Sequence, residues 1–169
     1  MHQSRISDFF VTENASASAS TSSATISSVI DRPIEWYTLY FDGGSRGNPG
    51  NSGSGSILFN STKEVIWENA TNHGIQTNNY AEYQGLLIGL KQAAKLGITH
   101  LIIRGDSLLA IQQMNGKYKC KHPNILPLFR ECCEWRRHIP NLIFEHVLRH
   151  LNRDADRLSN VAMDQVHKK

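Results

Sequence analysis

Four acidic side chains lie in sequence contexts that suit a site for divalent cations, namely Asp42, Glu82, Asp106 and Asp156. Asp42 and Asp106 each follow an apolar segment that predicts a strand, whereas Glu82 and Asp156 each lie near the start of a predicted helix. Like charges are costly to bury together unless a cation neutralises them, and ligands that are all oxygen select Mg²⁺ or Mn²⁺. Two such cations about 4 Å apart suit hydrolysis of a phosphodiester by in-line displacement.

The first elements that must position these carboxylates are predicted strands. Residues 36–41, 56–59 and 65–67 are rich in aromatic and β-branched residues. The short connections between them predict an antiparallel meander. Residues 42–55 combine glycine, serine, asparagine and proline, which predicts a turn region directly after the first strand. Asp42 is therefore expected at the point where strand gives way to turn.

The remainder of the chain alternates helices with strands. Apolar residues at helical spacing predict a helix over 79–96, with Thr77-Asn78 as its cap and Gly97 after its end. The later predicted elements are a strand over 100–104, a helix over 108–114, a helix from Pro123 that Pro140 stops, a strand over 142–148 and a helix over 152–166. Strands that are first antiparallel and then alternate with helices predict an α/β fold, a mixed sheet with helices on its faces.

Four segments of the chain, in their order, resemble type 1 ribonuclease H, and most closely its compact branch found in archaea, many bacteria and plants. They are FDGGSRGNPG, TNNYAEY, IIRGDS and NRDADRLSN, and the resemblance runs from about Tyr37 to Asp164. It implies a ribonuclease H-like fold with a five-stranded mixed sheet, in which three antiparallel strands are followed by parallel strands. It also implies an endoribonuclease that hydrolyses the RNA strand of RNA–DNA hybrids with two Mg²⁺ ions, held by the four carboxylates, with Mn²⁺ as a possible substitute.

The resemblance also assigns a catalytic histidine. His146 lies ten residues before Asp156, the spacing at which the family places that residue, and it could steer the attacking water or help release product. His150 lies on the same predicted loop and remains an alternative, as Asp154 does for Asp156. The loop reads HVLRH where this branch usually has HVPRE, which changes the expected loop geometry and not the metal site.

A larger set of residues is implied to contact the nucleic acid. A nuclease for hybrids must sense the 2′-hydroxyl across the minor groove, and amide side chains suit this because they both donate and accept. The matching positions are Gly43, Gly44, Ser45, Asn48, Thr77, Asn78 and Asn79, and a basic segment adds Lys117, Tyr118, Lys119 and Lys121. Asn48 could equally be a turn residue and Asn78 a helix cap. Ile75 stands where some eukaryotic members have an arginine, so the phosphate pocket beside Thr77 is expected to be partial.

Composition divides the chain into an N-terminal peptide (1–10), a linker (11–32) and a catalytic domain (33–167). Residues 11–31 contain 14 Ser, Thr or Ala among 21 residues, which predicts a disordered linker. The net charge is +3, but residues 32–169 hold 17 basic and 12 acidic side chains, which fits a polyanionic partner. Three cysteines without a CxxC spacing predict neither a disulfide framework nor a zinc site, and they fit a reducing compartment.

The N-terminal peptide resembles a motif that binds sliding clamps of the PCNA type. The residues that carry the motif are Gln3, Ile6, Phe9 and Phe10. The apolar members would form a plug for a pocket on the clamp. This resemblance implies a PCNA-type clamp as a partner and predicts a location in the nucleus or at replication sites, with archaeal cytosol or a viral factory as alternatives. A mitochondrial presequence is a competing interpretation, although the segment has Arg5 against Asp8 and Glu13 where arginine should dominate.

Two other functions remain open at this point. One is a catalytically silent, hybrid-binding scaffold domain of the same fold, against which the complete set of four carboxylates argues. The other is a structure-specific DNA nuclease such as a junction resolvase, against which the TNN segment and the GGS turn argue. No apolar run is long enough to span a membrane, so no membrane contact is expected. We expect a monomer that removes primers or R-loops during DNA replication.

Overall fold

The computed structural model describes residues 33–165, so the predicted clamp-binding peptide and the linker lie outside the described residues. The strands are β1 (Tyr37–Gly47), β2 (Gly50–Phe59), β3 (Val65–Gln76), β4 (His100–Gly105) and β5 (Asn141–His146). The helices are α1 (Asn78–Lys95), α2 (Leu108–Met114), α3 (Leu126–Arg136) and α4 (Arg153–Asp164), and a 3-10 turn over Arg149–Leu151 precedes α4. Within residues 33–165, no helix combines the length and the apolar character needed to cross a membrane.

The strands form one sheet in the order β3-β2-β1-β4-β5. β1 pairs with β2, and β2 with β3, in antiparallel fashion, whereas β4 is parallel to β1 and β5 is parallel to β4. This arrangement confirms the predicted α/β fold, with three antiparallel strands followed by parallel strands. The parallel strands β1, β4 and β5 matter for a binding site, because the carboxyl ends of parallel strands meet at one edge of a sheet, where ligands bind.

The predicted turn region over residues 42–55 is wrong. Most of it is regular strand, since β1 continues to Gly47 and β2 starts at Gly50, with pairs that run from Asp42↔Gly55 to Gly47↔Gly50. Only residues 48–49 form the turn. Glycine and serine are depleted in most strands, but they are favoured where another backbone must approach the sheet closely. Asp42 therefore lies within a strand and not at its end.

Other predicted boundaries differ in detail. β3 continues past its predicted end at residue 67 because it pairs along the whole of β2. α3 begins at Leu126, later than Pro123, and β5 ends at His146 instead of Leu148. The sequence did not predict the 3-10 turn before α4. The prediction is confirmed for α2, and α1 has the expected termini, with Thr77 as its N-cap and a left-handed Gly97 after its end.

Two clusters of apolar side chains cover the two faces of the sheet. The larger cluster joins β1, β2 and β4 to α1, α2 and α3, with Leu39, Phe41 and Leu101 fully buried at its centre. The smaller cluster is formed by Ile57 on β2 with Ala155 and Leu158 on α4. Neighbouring strand residues point to opposite faces, so β1 and β2 contribute to both clusters.

The smaller cluster contains few side chains because the backbone of α4 lies directly against the backbone of β2. A Cβ atom on Gly55 would lie 2.3 Å from the Ala155 carbonyl oxygen and 2.6 Å from the Ser159 nitrogen. A Cβ atom on Gly53 would lie 2.8 Å from the Ser159 carbonyl oxygen. These strand positions therefore leave room for no side chain, and their glycines set the distance between α4 and the sheet.

Gly55→Ala is expected to destabilise the protein by about 1–3 kcal/mol, because the added methyl group collides with helix backbone that cannot rotate away. Gly44→Ala is the matched control, since its Cβ would meet only the terminal methyl group of Met163, at 3.0 Å. Urea unfolding of the two variants and the wild type measures both effects. Equal losses of stability in the two variants would contradict close packing of α4 as the cause.

Candidate metal and nuclease site

Three of the predicted carboxylates meet at one place. Asp42, Glu82 and Asp106 each offer a carboxylate oxygen, and these atoms all lie within 4.8 Å of one another. Asp42 and Glu82 are each 6% exposed, while Asp106 is half-buried. The side chains come from β1, from α1 and from the residue after β4, so the cluster joins three separate elements.

The parallel pairing of β1 and β4 explains how two of the carboxylates meet. The last paired residues are Tyr40 and Arg104, and Asp42 and Asp106 each follow two residues later along their own chain direction. Both carboxylates therefore leave the same edge of a parallel pair of strands, although β1 itself continues beyond this point. The third carboxylate arrives from outside the sheet, on the first turns of α1.

Gly43 allows α1 to bring Glu82 to the sheet edge. A Cβ atom at Gly43 would lie 2.1 Å from the Glu82 nitrogen, so the backbones of β1 and α1 touch at this position. The Gly43 backbone also acts to lower the pKa of Glu82, against the larger effect of burial. Glycine is required here for close backbone approach.

Asp156 lies at the rim of the cluster. It lines the same cavity of about 210 Å³ as the three clustered carboxylates, but its oxygens bind other partners. Oδ1 accepts a hydrogen bond from Arg149 Nη2 at 2.9 Å, and Oδ2 accepts one from Asn160 Nδ2 at 3.2 Å. Asp154 is exposed and lines a different cavity, so the structure places Asp156 and not Asp154 at the acidic site.

Two polar residues of the last helix segment hold the clustered carboxylates, and the sequence analysis missed both. Ser159 Oγ donates to Asp42 Oδ2. Asn152 Nδ2 donates to Asp106 Oδ1 at 3.1 Å and to the Phe41 carbonyl oxygen at 2.9 Å. A signal existed for Ser159, because it follows Asp156 by three residues and lies on the helix face of Ala155, where an apolar residue is expected.

Burial and mutual repulsion raise the pKa values of two clustered carboxyl groups. Burial, with the nearby Asp106 and Asp156 charges, raises the pKa of Asp42 to about 6, although the hydrogen bond from Ser159 acts in the opposite direction. Burial first, and the charges of Asp42 and Asp106 second, raise the pKa of Glu82 well above its ordinary value. Glu82 Oε2 is buried, and no residue within 33–165 gives it a hydrogen-bond partner.

These properties fit a hard divalent cation. The donor atoms are all carboxylate oxygens, which Mg²⁺ and Mn²⁺ prefer over softer ligands. A cation would supply the missing partner of Glu82 Oε2 and would favour the charged forms that burial disfavours. The residues that could hold it are Asp42, Glu82 and Asp106, with Asp156 close by at the rim.

His146 lies beside the cluster without joining it. It is the last residue of β5, it pairs with Gly105, and its Nε2 is 3.2 Å from the Asp106 carbonyl oxygen. Its side chain is exposed, as is that of His150 in the 3-10 turn. The parallel β4–β5 pair thus brings His146 next to a clustered carboxylate.

The predicted nucleic-acid contacts fall into three groups. Gly43, Gly44 and Asn78 line the acidic cavity, and Asn79 lines a small cavity against Glu82. Ser45, Asn48 and Thr77 have local roles, because Ser45 Oγ donates to the Gln76 carbonyl, Asn48 Oδ1 accepts from the Asn78 N–H, and Thr77 Oγ1 caps α1. The basic segment between α2 and α3 presents four exposed side chains, Lys117, Tyr118, Lys119 and Lys121.

The raised pKa of Asp42 predicts a pH-dependent stability in cation-free buffer. A carboxyl group whose pKa is raised to about 6 contributes stability below its ordinary pKa of 3.8, and this contribution is lost as the pH rises through 6. Asp42→Asn removes the charge, so this variant should be more stable than the wild type at pH 7, by on the order of 1–3 kcal/mol. The difference should vanish near pH 4, as measured by urea unfolding with a chelator. A difference in unfolding free energy of the same size at both pH values would contradict the raised pKa of Asp42.

Comparison with known proteins shows which family the chain belongs to. A family model described as "Reverse transcriptase-like" matches residues 40–162. The chain is 43% identical over 124 residues to the bifunctional protein Rv2228c of Mycobacterium tuberculosis, covering 73% of this chain and 34% of that protein. It is 35% identical over 127 residues to ribonuclease HI of Halobacterium salinarum, covering 75% of this chain and 64% of that protein. The chain thus spans about a third of the length of the mycobacterial relative.

Solved structures agree with these relatives. The N-terminal ribonuclease H domain of Rv2228c has a TM-score of 0.75 and 41% identity, covering 76% of this chain and 94% of that chain. Ribonuclease H1 of Halobacterium salinarum has a TM-score of 0.74 and 34% identity, covering 78% and 99%. LC11 ribonuclease H1, solved in complex with an RNA/DNA hybrid, has a TM-score of 0.72 and 34% identity, covering 76% and 97%. The chain therefore belongs to the reverse transcriptase-like family, and its described domain is a ribonuclease H-like domain.

Proposed function

We propose that this chain is a divalent-cation-dependent endoribonuclease that hydrolyses the RNA strand of RNA–DNA hybrids. The observation that carries the proposal is the cluster of Asp42, Glu82 and Asp106, whose oxygens lie within 4.8 Å of one another at the carboxyl edge of the parallel strands. A relative with 34% identity was solved with an RNA/DNA hybrid bound, which supports the choice of substrate.

The four carboxylates would hold two Mg²⁺ ions, for which Mn²⁺ could substitute. When bound, the cations supply Lewis-acid stabilisation of the charge that develops on the phosphate. The buried members hold their oxygens in fixed positions, because backbone contact at Gly43 and hydrogen bonds from Ser159 and Asn152 restrict them. Fixed charges stabilise a developing charge without the cost of reorganisation at the moment of reaction.

The rim residues act on the phosphate and on protons. Arg149 is exposed, lines the acidic cavity and pairs with Asp156, so it can also attract a phosphate to the site. His146 is held beside Asp106, and since a carbonyl oxygen only accepts, its Nε2 carries the proton in that contact. Nδ1 is then available to exchange a proton with water or with the leaving group.

Recognition of RNA is proposed to occur along the acidic cavity. Gly43, Gly44 and Asn78 line it and would contact the sugar and the backbone of the cleaved strand. The exposed basic segment around Tyr118 would contact phosphates farther along the duplex. Ser45, Asn48 and Thr77 would act mainly by fixing the turn and the start of α1 that present these groups.

One cleavage assay tests this proposal. Labelled RNA–DNA hybrid, double-stranded RNA and double-stranded DNA are incubated with the protein, with and without Mg²⁺. We expect cleavage of the RNA strand of the hybrid only, and only with Mg²⁺. Asp106→Asn should reduce the rate by roughly 10³-fold while hybrid binding survives, because the cation site supplies several kcal/mol and about 1.4 kcal/mol is tenfold in rate.

Asp154→Asn is the matched control, because Asp154 is exposed and lines a cavity away from the acidic cluster. It should retain the activity of the wild type. Cleavage of double-stranded DNA instead of the hybrid would support a DNA nuclease of the same fold, and hybrid binding without cleavage would support a silent scaffold domain. Either result would sink the proposed activity.

We further propose that residues 1–10 bind a PCNA-type sliding clamp and that the protein acts as a monomer at replication sites, removing primers or R-loops. The support is the sequence pattern Gln3, Ile6, Phe9, Phe10, which lies outside the described residues. As a flexible coil, residues 11–31 would span roughly 25 Å, which would keep the nuclease close to DNA encircled by the clamp.

Phe9→Ala with Phe10→Ala should abolish clamp binding and leave cleavage of free hybrid unchanged, because none of the residues proposed for catalysis lies in that peptide. Calorimetry of the full chain and of the double variant against the host clamp measures the first effect, and the cleavage assay measures the second. Wild-type protein that shows no heat of binding at tens of micromolar would refute the clamp proposal and favour the presequence interpretation.

A further inference from the structure

Asn152 occupies the position before α4 where asparagine usually caps a helix. Asparagine is among the best residues there because its side-chain oxygen accepts an N–H of the first turn, which stabilises the helix. Asn152 makes no such bond, although it is the N-cap residue of α4. Its side chain is directed inward and is 1% exposed.

The inward side chain contacts two of the segments that carry clustered carboxylates. Nδ2 donates to the Phe41 carbonyl oxygen at 2.9 Å and to Asp106 Oδ1 at 3.1 Å. Phe41 immediately precedes Asp42 on β1. The Asn152 backbone carbonyl also accepts the Asp156 N–H at 3.0 Å, so one residue joins the three segments that bear Asp42, Asp106 and Asp156.

The orientation of the amide is fixed by its partners. A carbonyl oxygen and a carboxylate oxygen can only accept, so the NH₂ group must face both of them. This leaves Asn152 Oδ1 buried with no hydrogen-bond partner among the described residues. An unpartnered buried acceptor destabilises the folded state, and the missing cap adds to that cost.

A side chain with a purely structural role would be expected to cap the helix and to leave no buried oxygen unpaired. The two bonds it makes instead both bear on the carboxylates, one directly and one through the strand that carries Asp42. Asp106 is the half-buried member of the cluster, without the tight backbone packing that holds Glu82, so a donor at its Oδ1 restricts it where packing does not.

We infer that Asn152 is a positioning residue that orients the Asp106 carboxylate toward Asp42 and thereby sets the affinity of the cluster for a divalent cation. The inference rests on the proposed function, since it assigns Asn152 a role at that same site. Residues that orient a ligand from outside the coordination shell change metal affinity by roughly 10- to 100-fold when they are removed.

The test measures Mn²⁺ affinity by calorimetry of the full chain without nucleic acid. Asn152→Ala should weaken Mn²⁺ binding by about 10-fold or more. Asn152→Ser retains a small polar group and leaves a smaller cavity than alanine does, and it should also weaken Mn²⁺ binding. Asn141→Ala is the matched control, because Asn141 is an exposed asparagine whose side chain donates to the Thr99 carbonyl, away from the cluster. The control should bind Mn²⁺ as the wild type does.

Two further readouts separate positioning from a structural role. Urea unfolding in the presence of a chelator measures how much stability each variant loses. A variant that only loses stability, and remains folded, would keep the Mn²⁺ affinity of the wild type. Cleavage of hybrid by Asn152→Ala should recover as Mn²⁺ is raised above its weakened Kd, whereas a distorted fold would not recover.

The inference is overturned if a folded Asn152 variant binds Mn²⁺ within twofold of the wild type, or if both variants fail to fold while the control folds. Wild-type protein that neither binds Mn²⁺ nor cleaves hybrid would instead refute the proposed function. Wild-type protein that does both, with unchanged affinity in the variants, refutes only the role of Asn152.

Discussion

The mutual repulsion of three clustered carboxylates, two of them buried and one half-buried, is the constraint on which the rest of the site depends. Asp42, Glu82 and Asp106 present oxygens within 4.8 Å of one another, and burial raises the pKa values of the first two. Such a cluster persists only if packing holds its members together and if a counter-charge is available in the working state. The fold supplies the packing, and the oxygen donors fit a hard cation as the counter-charge.

Backbone contact supplies most of that packing. α1 touches β1 at Gly43, and α4 touches β2 at Gly53 and Gly55, in each case at a distance that no side chain would permit. These contacts bring the helix residues Glu82 and Ser159 to the carboxylate cluster, because longer separations would place their short side chains out of reach. The glycines of β1 and β2 therefore affect the site by setting how closely the helices approach the sheet, and not by making the chain flexible.

The site is divided into a buried part and an exposed rim. In the cluster, buried Asp42 and half-buried Asp106 accept hydrogen bonds from Ser159 and Asn152. At the rim, Asp156 is paired with an exposed Arg149, and exchange with phosphate or water is possible there because both partners are accessible. A rigid centre with an adaptable rim suits a reaction in which cation positions stay fixed while a polymeric substrate enters and leaves.

The order of apolar segments, the α/β class and the four acidic positions could be determined from the sequence, because strand and helix periodicity and local motifs are properties of neighbouring residues. The segment 42–55 shows the limit of prediction from local sequence. Its glycines and serines favour a turn locally, yet strand pairing and helix packing make it a hairpin. Likewise, Asn152 is a helix cap by local rules, and its bond to Asp106, 46 residues away, exists only in the folded chain. Local propensity fixed which residues were available for the site, whereas contacts between distant segments decided which carboxylates became buried neighbours and which polar side chains hold them.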